Sequence, residues 1–262
     1  MKINEFAKRL GLPNSKIRYY EKIGLINGNR QDKNNYRDFK NEDALEVYSA
    51  LMLRSYGMGI QECFDAKREN IDEINSWIEK YIEKTKQEIK RQEMLLVRLR
   101  TIESYSEMFR IDPNQIHIRY LSVPYEIWTF GKNITLTKQH YRDIEVLMNN
   151  MPYSYACIRV TKESILSDGE DLDVSLGVGI LKENTDMLNI EIPSANKRNE
   201  GNILEQIFEM EDPFQIKKSD IKPLLEKIEE LNIELTDLIG RIYVCYDKNG
   251  KTVYGFGLAI MV

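Results

Sequence analysis

Ile17-Arg18-Tyr19-Tyr20-Glu21-Lys22-Ile23-Gly24-Leu25 is the stretch on which the reading of this chain turns. A helix predicted over residues 14 to 22 points Ile17 inward and spreads Lys16, Arg18, Tyr19, Tyr20 and Lys22 over its remaining surface. Upstream, residues 4 to 10 read as a shorter helix with Phe6, Ala7 and Leu10 on one face. Gly11 ends it, because glycine tolerates the left-handed conformation of a sharp turn. Helix, glycine turn, helix is the outline of a helix-turn-helix. Downstream, residues 24 to 40 are loop-like and basic, with Asn34-Asn35 as a turn between Lys33 and Arg37, which suits a two-stranded wing. Two further helices are expected at 41 to 55 and 59 to 69, broken at Gly57.

The charge distribution supports a phosphate-binding head. The 262-residue chain carries a net charge of −5, yet residues 1 to 40 hold ten Lys or Arg against four Asp or Glu. Screening makes such a local excess matter more than the total. Hydrophobic content of 42% and charged content of 30% suit a folded protein rather than a disordered one. With no apolar run at its start and none of 18 residues elsewhere, the chain is expected to be soluble and cytoplasmic, with no membrane partner. Cys63, Cys157 and Cys245 are far apart in sequence and read as reduced, buried or half-buried thiols, so no metal site and no cofactor is expected.

Between Ile71 and Arg110 there is neither proline nor glycine, and Ile71, Ile74, Ile78, Ile82, Ile89, Leu96, Leu99 and Ile102 recur at spacings of three, four and seven. That pattern predicts one amphipathic helix of about 60 Å at ~1.5 Å per residue. A second chain is the natural cover for its apolar stripe, as an antiparallel coiled coil that makes a homodimer. Thr85 and Gln92 interrupt the seam, and the same helix lying on its own C-terminal domain is the alternative. Asp112-Pro113 ends it.

Beyond Pro113 two passages share an order of elements. The first is strand (116 to 130), helix (137 to 149), strand (153 to 160), strand (172 to 181). The second is strand (202 to 210), helix (219 to 231), strand (240 to 247), strand (252 to 261), with Asn249-Gly250 as a hairpin turn. The expected fold class is therefore α+β: a winged helix-turn-helix at 1–70, a dimerisation helix at 71–111, and a duplicated β-α-β-β domain at 112–262 with a cleft where its halves meet.

The motif from Ile17 to Leu25 resembles the heart of the MerR family of transcription regulators. Ile3-Asn4-Glu5-Phe6-Ala7-Lys8, Leu10-Gly11-Leu12, Asn35-Tyr36-Arg37 and Tyr56-Gly57-Met58 fit the same family over about residues 1 to 70. The C-terminal half is similar to GyrI-like effector-binding domains through Ser154-Tyr155-Ala156 and its repeated β-α-β-β order. The combination resembles the multidrug-sensing, BmrR-type branch of the family. Two positions depart from the pattern. Pro13 stands where Ser or Asn usually caps the second helix, so Asn14 or Ser15 must cap, or Pro13 occupies the first turn. Asn34-Asn35 replaces the usual Asn-Gly of the wing.

The resemblance implies a regulator that bends and untwists a promoter, with RNA polymerase as an indirect partner there. At double-stranded promoter DNA, Lys16, Arg18, Lys33 and Arg37 are expected on phosphates. Tyr19, Tyr20 and Tyr36 would donate hydroxyls to the backbone, and Ser15 and Lys16 would meet base edges. A small lipophilic or aromatic effector is expected against Tyr155, Tyr153, Trp128 and Tyr243, with Glu126 as a candidate anchor. Gly240 stands near where the resemblance would place a cation-anchoring acid, which leaves cationic selectivity open and admits neutral aromatic ligands. An enzyme is not expected, since His117 and His140 lie beside no nucleophile. The rival from another class is a GyrI-like hydrolase of small lipophilic compounds fused to a DNA-binding module.

Overall fold

A computed structural model describes residues 1–27, 29–30, 37–66 and 70–262 of the chain. They divide into two units, Met1–Gln87 and Glu88–Val262.

In the first unit, Phe6 and Ala7 are the inward residues of helix α1 (Ile3–Leu10), and Gly11 closes it at φ 65°. Pro13 takes the cap position of α2 (Asn14–Lys22) in extended conformation, with no side-chain cap. Asn14 Nδ2 instead donates to Asn4 Oδ1 at 2.7 Å and joins the two helices. Ile17 and Tyr20, three residues apart, turn inward and are wholly buried. Where a wing was expected, β1 (Asn29–Arg30) pairs antiparallel with β2 (Arg37–Asp38). Lys33, Tyr36 and the Asn34-Asn35 turn lie outside the described residues. Helices α3 (Asn41–Ser55) and α4 (Ile60–Ala66) follow. Phe6 stacks on Phe39 at 4.8 Å between ring centroids, at the centre of a core completed by Leu25, Ile26, Val47 and Ala50.

Helix α5 (Ile71–Ile111) is continuous and belongs to both units. Tyr81 donates its hydroxyl to Glu62 of α4 at 3.1 Å, which ties the start of α5 into the first unit. Ile71, Ile78, Ile82, Ile89, Leu96 and Leu99 remain exposed.

In the second unit the strand expected over 116 to 130 is two strands, β3 (Ile116–Leu121) and β4 (Pro124–Phe130), broken at Ser122-Val123. They are followed by α6 (Lys138–Asn149), β5 (Ser154–Val160), α7 (Lys162–Leu166), β6 (Val174–Leu181), α8 (Lys182–Leu188) and β7 (Asn196–Lys197). Then come β8 (Gly201–Met210), α9 (Lys218–Glu230), β9 (Leu238–Lys248) and β10 (Lys251–Met261). All eight strands form one antiparallel sheet in the order β3-β8-β10-β9-β5-β6-β4-β7. One set of elements runs β4-α6-β5-α7-β6 and another β8-α9-β9-β10, alike except for α7, and the two sets meet where β5 pairs with β9. Asn249 and Gly250 both have positive φ, the requirement of the tight hairpin between β9 and β10.

Side chains alternate across the strands. Leu204, Phe208, Phe256, Leu258 and Ile260 turn to one face and pack with Ile221, Leu224 and Ile228 of α9. Ile207 and Tyr243 turn to the other and pack with Tyr105 and Phe109 of α5. Glu205, two residues before Ile207 on β8, lies on this second face. Among the described residues no helix is long and apolar enough to cross a membrane.

Candidate effector pocket and DNA-facing helix

A cavity of about 300 Å³ opens between α5 and the sheet, within the second unit. The 94–101 stretch of α5 forms one wall with Met94, Val97, Arg98 and Thr101. The opposite wall is Tyr153, Tyr155, Leu181, Asn184 and Arg241, and Glu183 sits exposed at the rim. Its volume is at the small end of the range for ligand sites.

Glycine shapes the floor. Tyr155 on β5 lies opposite Gly179 on β6, and a Cβ at position 179 would stand 2.8 Å from the tyrosine ring. The absent side chain lets the ring lie flat on the neighbouring strand. Arg241 covers the ring's other side, its Cζ 3.8 Å from the centroid. Tyr155 is 3% exposed and Arg241 8%, yet neither the Tyr155 hydroxyl nor Arg241 Nη2 has a hydrogen-bond partner. Burial pushes the Tyr155 hydroxyl above its ordinary range, so it stays protonated and able to donate. The second tyrosine is better anchored. Tyr153 donates to the Arg91 carbonyl at 3.1 Å, and Asn184 Nδ2 donates to the Tyr153 carbonyl at 2.7 Å.

Three residues expected against the ligand are not in this wall. Tyr243 belongs to a closed cluster around Glu205, whose side chain is fully buried on β8. Arg119 reaches Glu205 through Nε at 2.7 Å and Nη2 at 3.2 Å, Tyr243 donates at 2.6 Å, and His117 Nε2 lies 3.1 Å away. Tyr105 also donates to the carboxylate, and its ring stacks on Tyr243 at 3.5 Å. Burial alone would raise the carboxyl, but the bonds from His117, Arg119 and Tyr105 outweigh it and hold it well below the usual carboxylate range. Glu126, expected as a ligand anchor, is buried in a two-pronged pair with Arg198 at 2.7 and 2.8 Å. Trp128 carries Arg159 over its ring at 4.7 Å and packs with Tyr155 and Cys157 behind the pocket. Gly240 could bear no acid, since a Cβ there would come within 1.8 Å of the Gly257 carbonyl oxygen.

In the first unit, Ser15, Arg18 and Tyr19 are exposed on α2 and Lys16 is half-buried. Tyr20, expected at phosphate, is instead the largest wholly buried side chain of the core, because it shares the inward face with Ile17. Residues 1–68 match the family model for MerR HTH regulatory proteins.

The HTH-type transcriptional regulator HmrR of Rhizobium leguminosarum bv. viciae is 41% identical over 63 residues, 24% of this chain and 48% of that protein. The HTH-type transcriptional regulator CueR of Salmonella typhi is 32% identical over 63 residues, 24% of this chain and 46% of its own. The chain thus spans about half the length of the curated relatives it matches, and these relatives are transcription regulators, not enzymes. A chain from a cryo-EM structure of the EcmrR-DNA complex in EcmrR-RPo aligns over 100% of both chains, at 14% identity and a TM-score of 0.40.

The MerR match ends before α5, so nothing in it bears on the pocket. The residues that sequence reasoning missed there are chiefly Arg98, Arg241 and Asn184. One of them carried a signal. Arg241 interrupts the apolar run of β9, and a charge inside such a strand must find a partner or a purpose. Arg98 lies among many charges on α5 and carried none.

Proposed function

We propose that this protein is a ligand-responsive transcription regulator of the MerR type. It binds promoter DNA as a homodimer through residues 1–70 and senses a small lipophilic or aromatic molecule in a GyrI-like C-terminal domain. One observation carries the reading: a MerR-matching N-terminal region shares its chain with a second unit that holds a pocket with unpaired buried polar groups. Exposed Ser15, Arg18 and Tyr19 on α2 support a base- and phosphate-facing helix, with β1 and β2 as the base of a wing. The apolar stripe left open along α5 supports a dimer seam, and the twice-used β-α-β-β order supports the GyrI-like assignment. In this reading the dimer distorts its promoter for RNA polymerase, and the ligand biases that distortion. No observation favours the hydrolase alternative: His117 is held by the Glu205 cluster, and His140 completes the Thr137 cap of α6.

Two measurements test the reading. Arg18→Ala should weaken binding of the full chain to a palindromic promoter duplex and lower its salt slope by about one phosphate contact, read by fluorescence anisotropy between about 50 and 200 mM salt. An unchanged slope takes Arg18 out of the interface. Ile89→Asp combined with Leu96→Asp places two charges in the proposed seam at positions exposed within the chain itself. Sedimentation should then show monomers, and a dimer persisting at micromolar concentration would put the seam elsewhere.

A further inference from the structure

The second unit sets several buried or half-buried arginines against its sheet, and they differ in what faces them. Arg119 has Glu205, Arg198 has Glu126, and Arg159 has Asp237 at 3.9 Å. Arg241, the most buried of them, has no carboxylate within ion-pair distance among the described residues. Arg98, on the facing wall of α5, has none either. Burial first, and then the like charge of Arg241, push the Arg98 guanidinium down from its ordinary value. Two guanidinium groups therefore share one cavity without an acid between them.

The only carboxylate among the described lining residues is that of Glu183, which is exposed at the rim and takes the Ser122 hydroxyl at 2.5 Å. The fold also blocks an internal acid one residue from Arg241, because position 240 has no room for any side chain. The aromatic surface that would attract a cationic ligand is occupied: Arg241 already lies on the Tyr155 face. A second cation would meet a used ring and two like charges. Stacking satisfies the face of a guanidinium but not its in-plane N–H donors, and Nη2 remains unbonded beside an unbonded Tyr155 hydroxyl.

We propose that this pocket takes an organic anion, a carboxylate or sulfonate on a flat apolar body, with Arg241 and Arg98 as counter-charges and the Tyr155 hydroxyl as a further donor. Met94, Val97 and Leu181 supply the apolar wall for the body. A guanidinium fork and a hydroxyl converging on one oxygen-bearing group form charge-assisted hydrogen bonds, the stronger class. The proposal rests on the reading of this cavity as the effector site and adds the ligand's charge to it.

The test is isothermal titration of the full chain with three matched probes: 2-naphthoate, neutral 2-naphthamide and cationic 2-naphthylmethylamine. The naphthoate should bind at least about ten-fold more tightly than the amide, and the amine most weakly. Arg241→Met should bring naphthoate down to the level of the amide while leaving the amide within about three-fold. Should that variant fail to fold, Arg98→Gln, a change on the half-exposed helix wall, should still narrow the preference by several-fold. Equal affinity for the three probes, or preference for the amine, would overturn the anionic assignment and leave the effector pocket standing, provided Tyr155→Ala weakens all three. No binding of any probe at millimolar concentration would overturn both.

Discussion

Tyr243 and Tyr155 are buried in the same sheet, and their hydroxyls meet opposite circumstances. The Tyr243 hydroxyl donates to Glu205 and receives an N–H from Arg119 at 2.9 Å, inside a cluster where a buried carboxylate faces a guanidinium and two hydroxyls. The Tyr155 hydroxyl meets nothing, under a guanidinium with a free N–H, at the wall of a cavity. Aromatic residue type does not distinguish the two. What distinguishes them is whether the fold itself completes the hydrogen bonding. The bonded cluster holds the end of α5 on the sheet, whereas the Tyr155 hydroxyl adds no hydrogen bond of its own to the fold.

The largest expected effect falls on the completed side. Glu205→Gln leaves Arg119 without its carboxylate in a buried place, and should cost about 3–5 kcal/mol in urea unfolding at neutral pH. The pH dependence has a definite sign. The Glu205 carboxyl is depressed in the folded state, so its contribution is full above the unfolded value of about 4.3 and is lost as pH falls toward the lower folded value. The gap between wild type and Glu205→Gln should therefore close below about pH 4. A gap that stays constant through that range would remove Glu205 as the ionised centre of the cluster.

A smaller effect is expected at the floor of the open side. Gly179→Ala would drive a methyl group into the Tyr155 ring, which is clamped between Gly179 and Arg241, at a cost of about 1–3 kcal/mol for overpacking. Effector binding should fall with it, because the ring cannot keep both its place and its neighbour. Unchanged stability together with unchanged binding would mean that the ring's position is not set by position 179.

The comparison also marks how much was legible in the sequence. The α1-turn-α2 pair, the long α5, the β9–β10 hairpin and most strands beyond Pro113 follow from local signals: Gly11, a run from 71 to 110 without proline or glycine, Asn249-Gly250 and alternation along strands. The break at Ser122-Val123 has its signal in Pro124, which lacks an N–H for a strand ladder and so stands at the first position of β4. Tyr155 and Tyr153 line the cavity, whereas Trp128, Tyr243 and Glu126 do not; residue type cannot reveal a partner on another strand. Arg198 lies 72 residues from Glu126, and Arg119 lies 86 from Glu205. Those pairings are decided by sheet register, which no local pattern of charge displays. Tyr20 likewise joined the core because its partners, Val47 and Ala50 among them, come from a helix more than twenty residues away.

The central claim, that one tyrosine is bonded into the fold and the other is held open, is tested most directly by unfolding Tyr243→Phe and Tyr155→Phe side by side in urea at neutral pH. Each substitution removes only a hydroxyl. Tyr243→Phe should lose about 1–3 kcal/mol, because Glu205 and Arg119 lose a buried partner. Tyr155→Phe should stay within about 0.5 kcal/mol of wild type or gain slightly, because an unbonded buried hydroxyl contributes no hydrogen bond to lose. Equal losses for the two variants would contradict the account, since the Tyr155 hydroxyl would then be bonded within the folded chain and not kept for a ligand.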